Sequence, residues 1–210
     1  MLKRLFLWSY AAMYDRFNAP AERAGLREQR RDLIAQATGA TIEIGAGTGL
    51  NLAHYPPEVT RLALAEPDPY MRERLRRRVS RLGRDAEIFD AAADRLPCPD
   101  ESFDTAVVTF ALCSVPDEQA ALSEITRVLV PGGRLLFLEH VRSADPRVAA
   151  KQDKMPFPYP VIGCHPNRDT LAEIKASPLT VESVREGELP KAPAIERPMI
   201  AGTARRPGSA

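Results

Sequence analysis

Residues 43–49 read Glu-Ile-Gly-Ala-Gly-Thr-Gly. Glycines at alternate positions let a backbone turn tightly and come close to a ligand. The dinucleotide fingerprint GxGxxG would put its third glycine at residue 50. Here that position is Leu50, and the third glycine comes one residue early, at Gly49. Glu43 stands two positions before the first glycine. A diphosphate at such a loop prefers amide donors and positive charge. A carboxylate there suits a ligand with a cationic amino-acid end. Glu66 ends the next apolar run, about 20 residues beyond the loop, where an acid can grip ribose hydroxyls. Nicotinamide-dependent enzymes use such an acid too, so Glu66 alone does not discriminate.

Further along, His140 follows Glu139 at the end of the run RLLFLEHV. Its ordinary pKa lies near neutrality, which suits a general base or a substrate-orienting group; the alternative is a histidine bonded to a neighbouring loop. Cys164-His165 sits in a loop that could close over a pocket, or make a structural turn contact. Cys113 and Ser114 follow the run FDTAVVTF and are candidates for a cavity wall. No ligand spacing among these cysteines and histidines supports a metal site.

These residues need elements to position them. Residues 1–38 read as helical, closed by Thr38-Gly39, with the glycine as a helix stop. Strands are predicted over 41–44, 61–65, 86–89, 103–110 and 134–141. A helix over 70–82 carries Met71, Leu75, Val79 and Leu82 on one face. A second, over 118–130, is capped by Asp117 and buries Ala121, Leu122, Ile125, Val128 and Leu129, with Pro131-Gly132-Gly133 as its terminator. Strands alternating with helices from 41 to 141 predict parallel βαβ units. Thr170 and Glu173 match a capping box for a short helix. Residues 179–186 and 198–205 are extended stretches that can pair as an antiparallel hairpin on the sheet edge. The proline-rich segment 143–166, with Phe157 and Tyr159, reads as a stiff aromatic lid. The N-terminal helix, with Trp8, Tyr10 and Tyr14, is a second candidate cover for the pocket.

Motif by motif from about Ile42 to Val141, the chain resembles class I S-adenosylmethionine-dependent methyltransferases. The matching runs are EIGAGTG, LALAEPD, AAADRLPCPDESFDTAVV and EITRVLVPGGRLLFLEHV. Within that class, GTGLNLAHYP, FALCSVPD, FLEHV and GCHPNRDT resemble small methyltransferase-like proteins acting on alkyl thiols, and bacterial relatives labelled as methylating lipids or quinones. The resemblance implies an α/β, Rossmann-like, doubly wound sheet of seven mainly parallel strands ending in an antiparallel hairpin. The chain is expected to divide into an N-terminal helical cap at 1–38 and an S-adenosylmethionine-binding methyltransferase domain at 39–206. The resemblance implies S-adenosylmethionine bound by Gly45, Ala46, Gly47 and Gly49, with Glu43 at the methionine end. Glu66 and Pro67 would flank the ribose, with Asp68 close by, and Ala93 and Asp94 the adenine. Phe110, Ala111 and Leu112 would pass beneath the methionine moiety. His140 and His165 are the candidate catalytic residues.

The whole chain sets bounds on function. Its 210 residues carry a formal net charge of +1, which gives no global field towards nucleic acid or an anionic membrane. Seven arginines between Arg72 and Arg84 read as a solvated helix face rather than a nucleic-acid patch. Three widely spaced cysteines fit reduced thiols in a cytoplasmic protein. The apolar stretch Leu5–Met13 is too short to span a bilayer and reads as an amphipathic helix packed on the domain, a secretory signal or an interfacial membrane helix being the alternatives. The expected activity is methyl transfer to a small acceptor of lipophilic character, a thiol, quinol or phenol. The alternatives are a protein that holds the cofactor without turnover and a nicotinamide-dependent oxidoreductase.

Overall fold

The computed structural model describes residues 2–154 and 163–208. Seven strands form one sheet: β1 Gly39–Ile44, β2 Val59–Ala65, β3 Glu87–Phe89, β4 Phe103–Thr109, β5 Leu129–His140, β6 Thr180–Glu188 and β7 Pro198–Arg205. Their order is β3-β2-β1-β4-β5-β7-β6. The first five are parallel; β7 runs antiparallel to β5 and β6 antiparallel to β7. The expected mainly parallel sheet with a C-terminal hairpin is the observed one. The order reverses direction at β1, whose neighbours are β2 on one side and β4 on the other. Such a switch point opens a crevice at the carboxyl ends of the strands.

Burial on both faces explains why these strands read as continuous apolar runs. Ile42, Ile44, Ala106, Val108, Leu135 and Phe137 point into one core layer. Leu62, Leu64, Val107, Leu136 and Leu138 point into the other. Helices cover each layer: α1 Leu2–Ala21, α2 Arg27–Ile34, α3 Pro69–Leu82, α4 Glu118–Val128, α5 Pro146–Gln152 and α6 Thr170–Ala176. α4 lays Ala121, Leu122, Ile125 and Val128 on the first layer; Leu33 and Ile34 of α2 and Leu75 of α3 fill the second. Each such fully buried large side chain is worth about 1.5–3 kcal/mol. α1 and α2 meet at a kink where Gly25 takes a φ of 121°. Asp68 caps α3 by accepting from the Tyr70 and Met71 amides, and Pro69 supplies a preset φ at its first turn. Among the described residues, no helix is long and apolar enough to cross a membrane.

Several local expectations are corrected. Gly39 does not stop a helix, since α2 ends at Ile34. It begins β1 with a φ of 67°, where an added Cβ would stand 2.2 Å from the Asp104 carboxylate. Pro131-Gly132-Gly133 lies in an irregular start of β5, after α4 has already ended. α6 is capped by Asp169, which accepts from the Ala172 amide. Thr170 and Glu173 instead bind Glu118 and Gln119 of α4. Leu82 is exposed, and Arg72 turns inward on the same helix to the Glu66 carbonyl and to Asp90. Arg78 pairs with Asp15, and Arg84 reaches the carbonyls of Leu52 and Tyr55. The arginine run is therefore partly a set of structural ties; Arg76, Arg77 and Arg81 form the exposed face. The proline-rich segment opens as α5, and Phe157 and Tyr159 lie outside the described residues. Trp8 is half exposed and does not face the pocket.

Candidate active site

A cavity of about 360 Å³ opens at the carboxyl edge of β1, β2 and β4. The glycine loop forms its floor. Gly45 has a φ of 71°, and a Cβ there would stand 2.4 Å from the Ala111 Cβ. Only glycine lets the loop pass the end of β4 so closely. Gly47 has a φ of 56° and open space above it, the nearest atom to an added Cβ being 4.0 Å away. Its amide donates to Glu66 at 2.8 Å, and the Asp68 amide donates to the other Glu66 oxygen at 2.8 Å. Burial raises the Glu66 pKa, opposed by these two amides. Each carboxylate oxygen keeps a further lone pair for a ligand. Gly49 plays another part: a side chain there would strike Leu52 and Leu75 in the core.

Behind the loop lies a smaller cavity of about 20 Å³, bounded by Tyr14, Arg30, Glu43, Ala46, Asn51 and Thr109 among others. Its polar groups form one network. Arg30 pairs with Glu22 at 2.8 Å and donates to Asn51 and Thr109, each at 3.1 Å. Asn51 donates to Glu43 at 2.9 Å, and the Tyr55 hydroxyl donates to the other Glu43 oxygen at 2.6 Å. Burial pushes the Glu43 carboxyl up to about 7, against the pull of Tyr55, Asn51 and Arg30.

The far end of the main cavity is built where β4 turns away. Phe110 has a φ of 54°, a left-handed conformation that costs a bulky residue energy. Glu139, fully buried on β5, holds the turn by accepting from the amides of Ala111, Leu112 and Cys113 at 2.8, 3.1 and 3.3 Å. Burial pushes its carboxyl up to about 7 despite these amides. The Phe110 ring lies 4.6 Å from the His140 ring and beneath the Arg30 guanidinium at 5.2 Å. His140 Nδ1 is 2.9 Å from the Glu196 carbonyl. A carbonyl only accepts, so Nδ1 carries the proton and Nε2 is left as an acceptor. Desolvation by burial pushes the His140 pKa down to about 4.

α1 roofs the cavity with Leu7, Tyr10, Tyr14 and Asn18. Asp15 ties it down, accepting from Thr48 at 2.5 Å and pairing with Arg78. Burial pushes the Tyr14 phenol up to about 12 and raises Tyr10 further, so both are neutral donors.

Of the residues expected from sequence, the main cavity brings together Gly45, Gly47, Glu66, Pro67, Ala93, Phe110 and His140, with Asp68, Ala111, Cys113, Ser114 and Cys164. Glu43 and Ala46 face the smaller cavity. Leu112 is fully buried in the core, and Asp94 is exposed outside the cavity wall. The His165 side chain is not on that wall; its amide donates to the Cys113 carbonyl at 2.7 Å. Sequence reasoning passed over Arg30, Asn51, Thr109, Glu139 and Glu196. Arg30 carried a usable signal: with Leu26, Leu33 and Ile34 it falls on the buried stripe of its helix.

Residues 42–137 match the family model described as a methyltransferase domain. The mouse thiol S-methyltransferase TMT1B is 31% identical over 166 residues, covering 71% of this chain and 67% of the relative. The ubiquinone/menaquinone biosynthesis C-methyltransferase UbiE of Pseudomonas fluorescens is 29% identical over 191 residues, 78% of this chain and 75% of UbiE. The chain spans 54–67% of the length of the TMT1B proteins from human, rat and mouse. A SAM-dependent methyltransferase from Thermotoga maritima superposes with a TM-score of 0.69 at 21% identity, over 95% of this chain and 97% of that one, a likeness of fold.

Proposed function

The chain belongs to the class I S-adenosylmethionine-dependent methyltransferases, and from that premise we propose that it methylates a small, uncharged acceptor of lipophilic character, a thiol, quinol or phenol. Membership sets aside the nicotinamide-dependent alternative. What supports the reading is one cavity that carries the Glu66 carboxylate and the open Gly47 at one end and mostly apolar side chains at the other. At the first, Gly47 leaves room for close approach and Glu66 offers free lone pairs beside Asp68 and Ala93. At the second stand Phe110, Val115, Pro116, Leu7 and His140.

The residues fit the cofactor. Glu66 would accept from the ribose hydroxyls, and Pro67, Met71, Ala92 and Ala93 would enclose the base. The smaller cavity, with room for about one water-sized group, would take only the ammonium of the amino-acid end, with Glu43 supplying negative charge and Asn51 and Thr109 polar contacts. The bound cofactor supplies an activated methyl group on a sulfonium. The protein's task is alignment of the acceptor opposite the sulfur, at about 3 Å from the methyl carbon. His140 Nε2 would accept a hydrogen bond from the acceptor's S–H or O–H and so orient it. With its pKa near 4, His140 is a poor store for the proton. A thiol, which ionises more readily than a phenol or alcohol, would lose its proton to water. On this reading residues 1–38 cap a methyltransferase domain of residues 39–206 in a cytoplasmic enzyme whose three cysteines are free thiols.

Charge sharpens the acceptor class. Among the described residues, no lysine or arginine lines the main cavity. An anionic acceptor would find no cationic partner on that wall. The test is S-adenosylhomocysteine release, with product mass, across neutral alkyl thiols, quinols, phenols, amines and a carboxylate-bearing thiol. Neutral thiols or quinols should turn over about 10-fold or more faster than the carboxylate thiol of equal size, a difference of about 1.4 kcal/mol or more. Cofactor binding with no turnover of any acceptor would favour a protein that holds the cofactor without using it.

A further inference from the structure

Cys113 lies in the short 3-10 turn Leu112–Ser114 that follows β4, and Cys164 stands across the same cavity wall. Their sulfurs are 3.9 Å apart. The two backbones are clasped around them. The His165 amide donates to the Cys113 carbonyl at 2.7 Å, and Arg168 donates to the Leu112 carbonyl at 2.7 Å. Cys113 is buried and Cys164 is partly exposed. The third cysteine, Cys98, packs in the core away from this cavity wall.

We infer that Cys113 and Cys164 form a redox modification site that takes up small disulfides and closes to an internal disulfide at the apolar end of the cavity. A disulfide needs its sulfurs about 2.05 Å apart, so side-chain rotation must close a gap of about 2 Å while the clasped backbones stay in place. The chemistry balances in two exchanges. The Cys164 thiolate attacks a disulfide RSSR, forming Cys164–S–SR and releasing RS⁻. The Cys113 thiol then attacks the Cys164 sulfur, its proton passing to the departing sulfur, forming the Cys113–Cys164 bond and releasing the second half as RSH. The small disulfide is the oxidant, and each of its sulfurs leaves as a reduced thiol. Accessibility assigns the order: Cys164 can be reached from the cavity, and Cys113 resolves from behind it. The bond joins the two side chains across the wall they share and so reshapes the cavity there. Such bonds in reducing compartments are transient and regulatory. The effect on turnover rests on the methyl-transfer reading; formation of the bond does not.

The test uses the full reduced chain, treated with 2-hydroxyethyl disulfide and then alkylated under denaturing conditions. The expected product is about 2 Da lighter before alkylation, as loss of two hydrogens requires. It should contain a cross-linked Cys113–Cys164 peptide, with Cys98 alone alkylated, and dithiothreitol should reverse it. Cys98→Ser should still cross-link, whereas Cys113→Ser and Cys164→Ser should each stop at a mixed adduct or not react. A stable adduct on Cys164 in the native chain with Cys113 still alkylatable, or a link through Cys98, overturns the inference. In the cross-linked chain, S-adenosylmethionine should bind within about 3-fold of the reduced chain, while acceptor turnover falls by about 10-fold or more, since displacements near 1 Å at a reacting centre cost that much. Undiminished turnover in fully cross-linked protein would overturn the regulatory half. Cross-linking of a chain that methylates nothing would uphold the bond and count against the methyl-transfer reading alone.

Discussion

At the scale of single residues, the cavity turns on two groups with opposite habits. Glu66 is a carboxylate held in place by the amides of Gly47 and Asp68, with lone pairs to spare. Replacing it with alanine removes the loop's anchor and, on the proposed reading, the acceptor for the ribose hydroxyls. Glu66→Ala should weaken S-adenosylmethionine binding by about 1–3 kcal/mol, measured by calorimetry. Unchanged affinity would count against the assigned ribose site. His140 is a neutral imidazole whose pKa has been pushed down to about 4 by burial. Its charge state therefore does not change near pH 6.5. His140 should therefore add no step to the pH dependence of kcat/KM above pH 5.5, and the step that belongs to the acceptor's ionisation should move its midpoint when a thiol of different pKa is supplied. A midpoint fixed at one pH for every acceptor would mean that a protein group, rather than the acceptor, is titrating.

At the scale of elements, the loop after β1 and the turn after β4 are built against each other. Gly45 can lie so near Ala111 only because it has no side chain, and Glu139 holds Ala111 to Cys113 in position with three amide contacts. Gly45→Ala should therefore disturb both. It places a methyl group 2.4 Å from another and strains a φ of 71°. Thermal unfolding should show a loss of about 1–3 kcal/mol, the range for overpacking. Gly47→Ala meets no close atom and should cost only about 1 kcal/mol for its left-handed backbone, while obstructing the ligand. Equal stability losses in the two variants would argue against the close approach. The glycine loop, the alternation of strands with helices and Glu66 were legible because local spacing encodes them. The turn after β4 was not. Glu139 reads as an ordinary acid beside a histidine, and only the pairing of β5 with β4 brings it to three amides. Likewise Asp169 outcompetes Thr170 as the cap of α6, because Thr170 is drawn to Glu118 on a distant helix. Tertiary partners decide what a capping pattern alone leaves open.

At the scale of the whole molecule, a charged network joins α2, the glycine loop and the sheet: Arg30 with Glu22, Asn51 and Thr109, and Asn51 with Glu43. Glu43 is the costly member. An acid whose folded pKa is raised from 4.5 to about 7 binds more protons folded than unfolded across that interval. Stability then falls as pH rises through it, the reverse of the usual salt-bridged carboxylate. Compared with Glu43→Gln, the native chain should lose up to about 3 kcal/mol between pH 4.5 and pH 7.5, at about 1.4 kcal/mol per pKa unit. Urea titrations at several pH values check this, and parallel profiles for the two proteins would refute it. The same proton offers a test of the proposed ligand. A cationic amino group entering the smaller cavity stabilises the ionised carboxyl, so binding at pH 7 should expel about half a proton per site. Calorimetry in two buffers of different ionisation enthalpy measures that number directly. S-adenosylmethionine should release it from the native chain and not from Glu43→Gln. Equal proton release from both would detach Glu43 from the ligand and leave its burial a matter of folding alone.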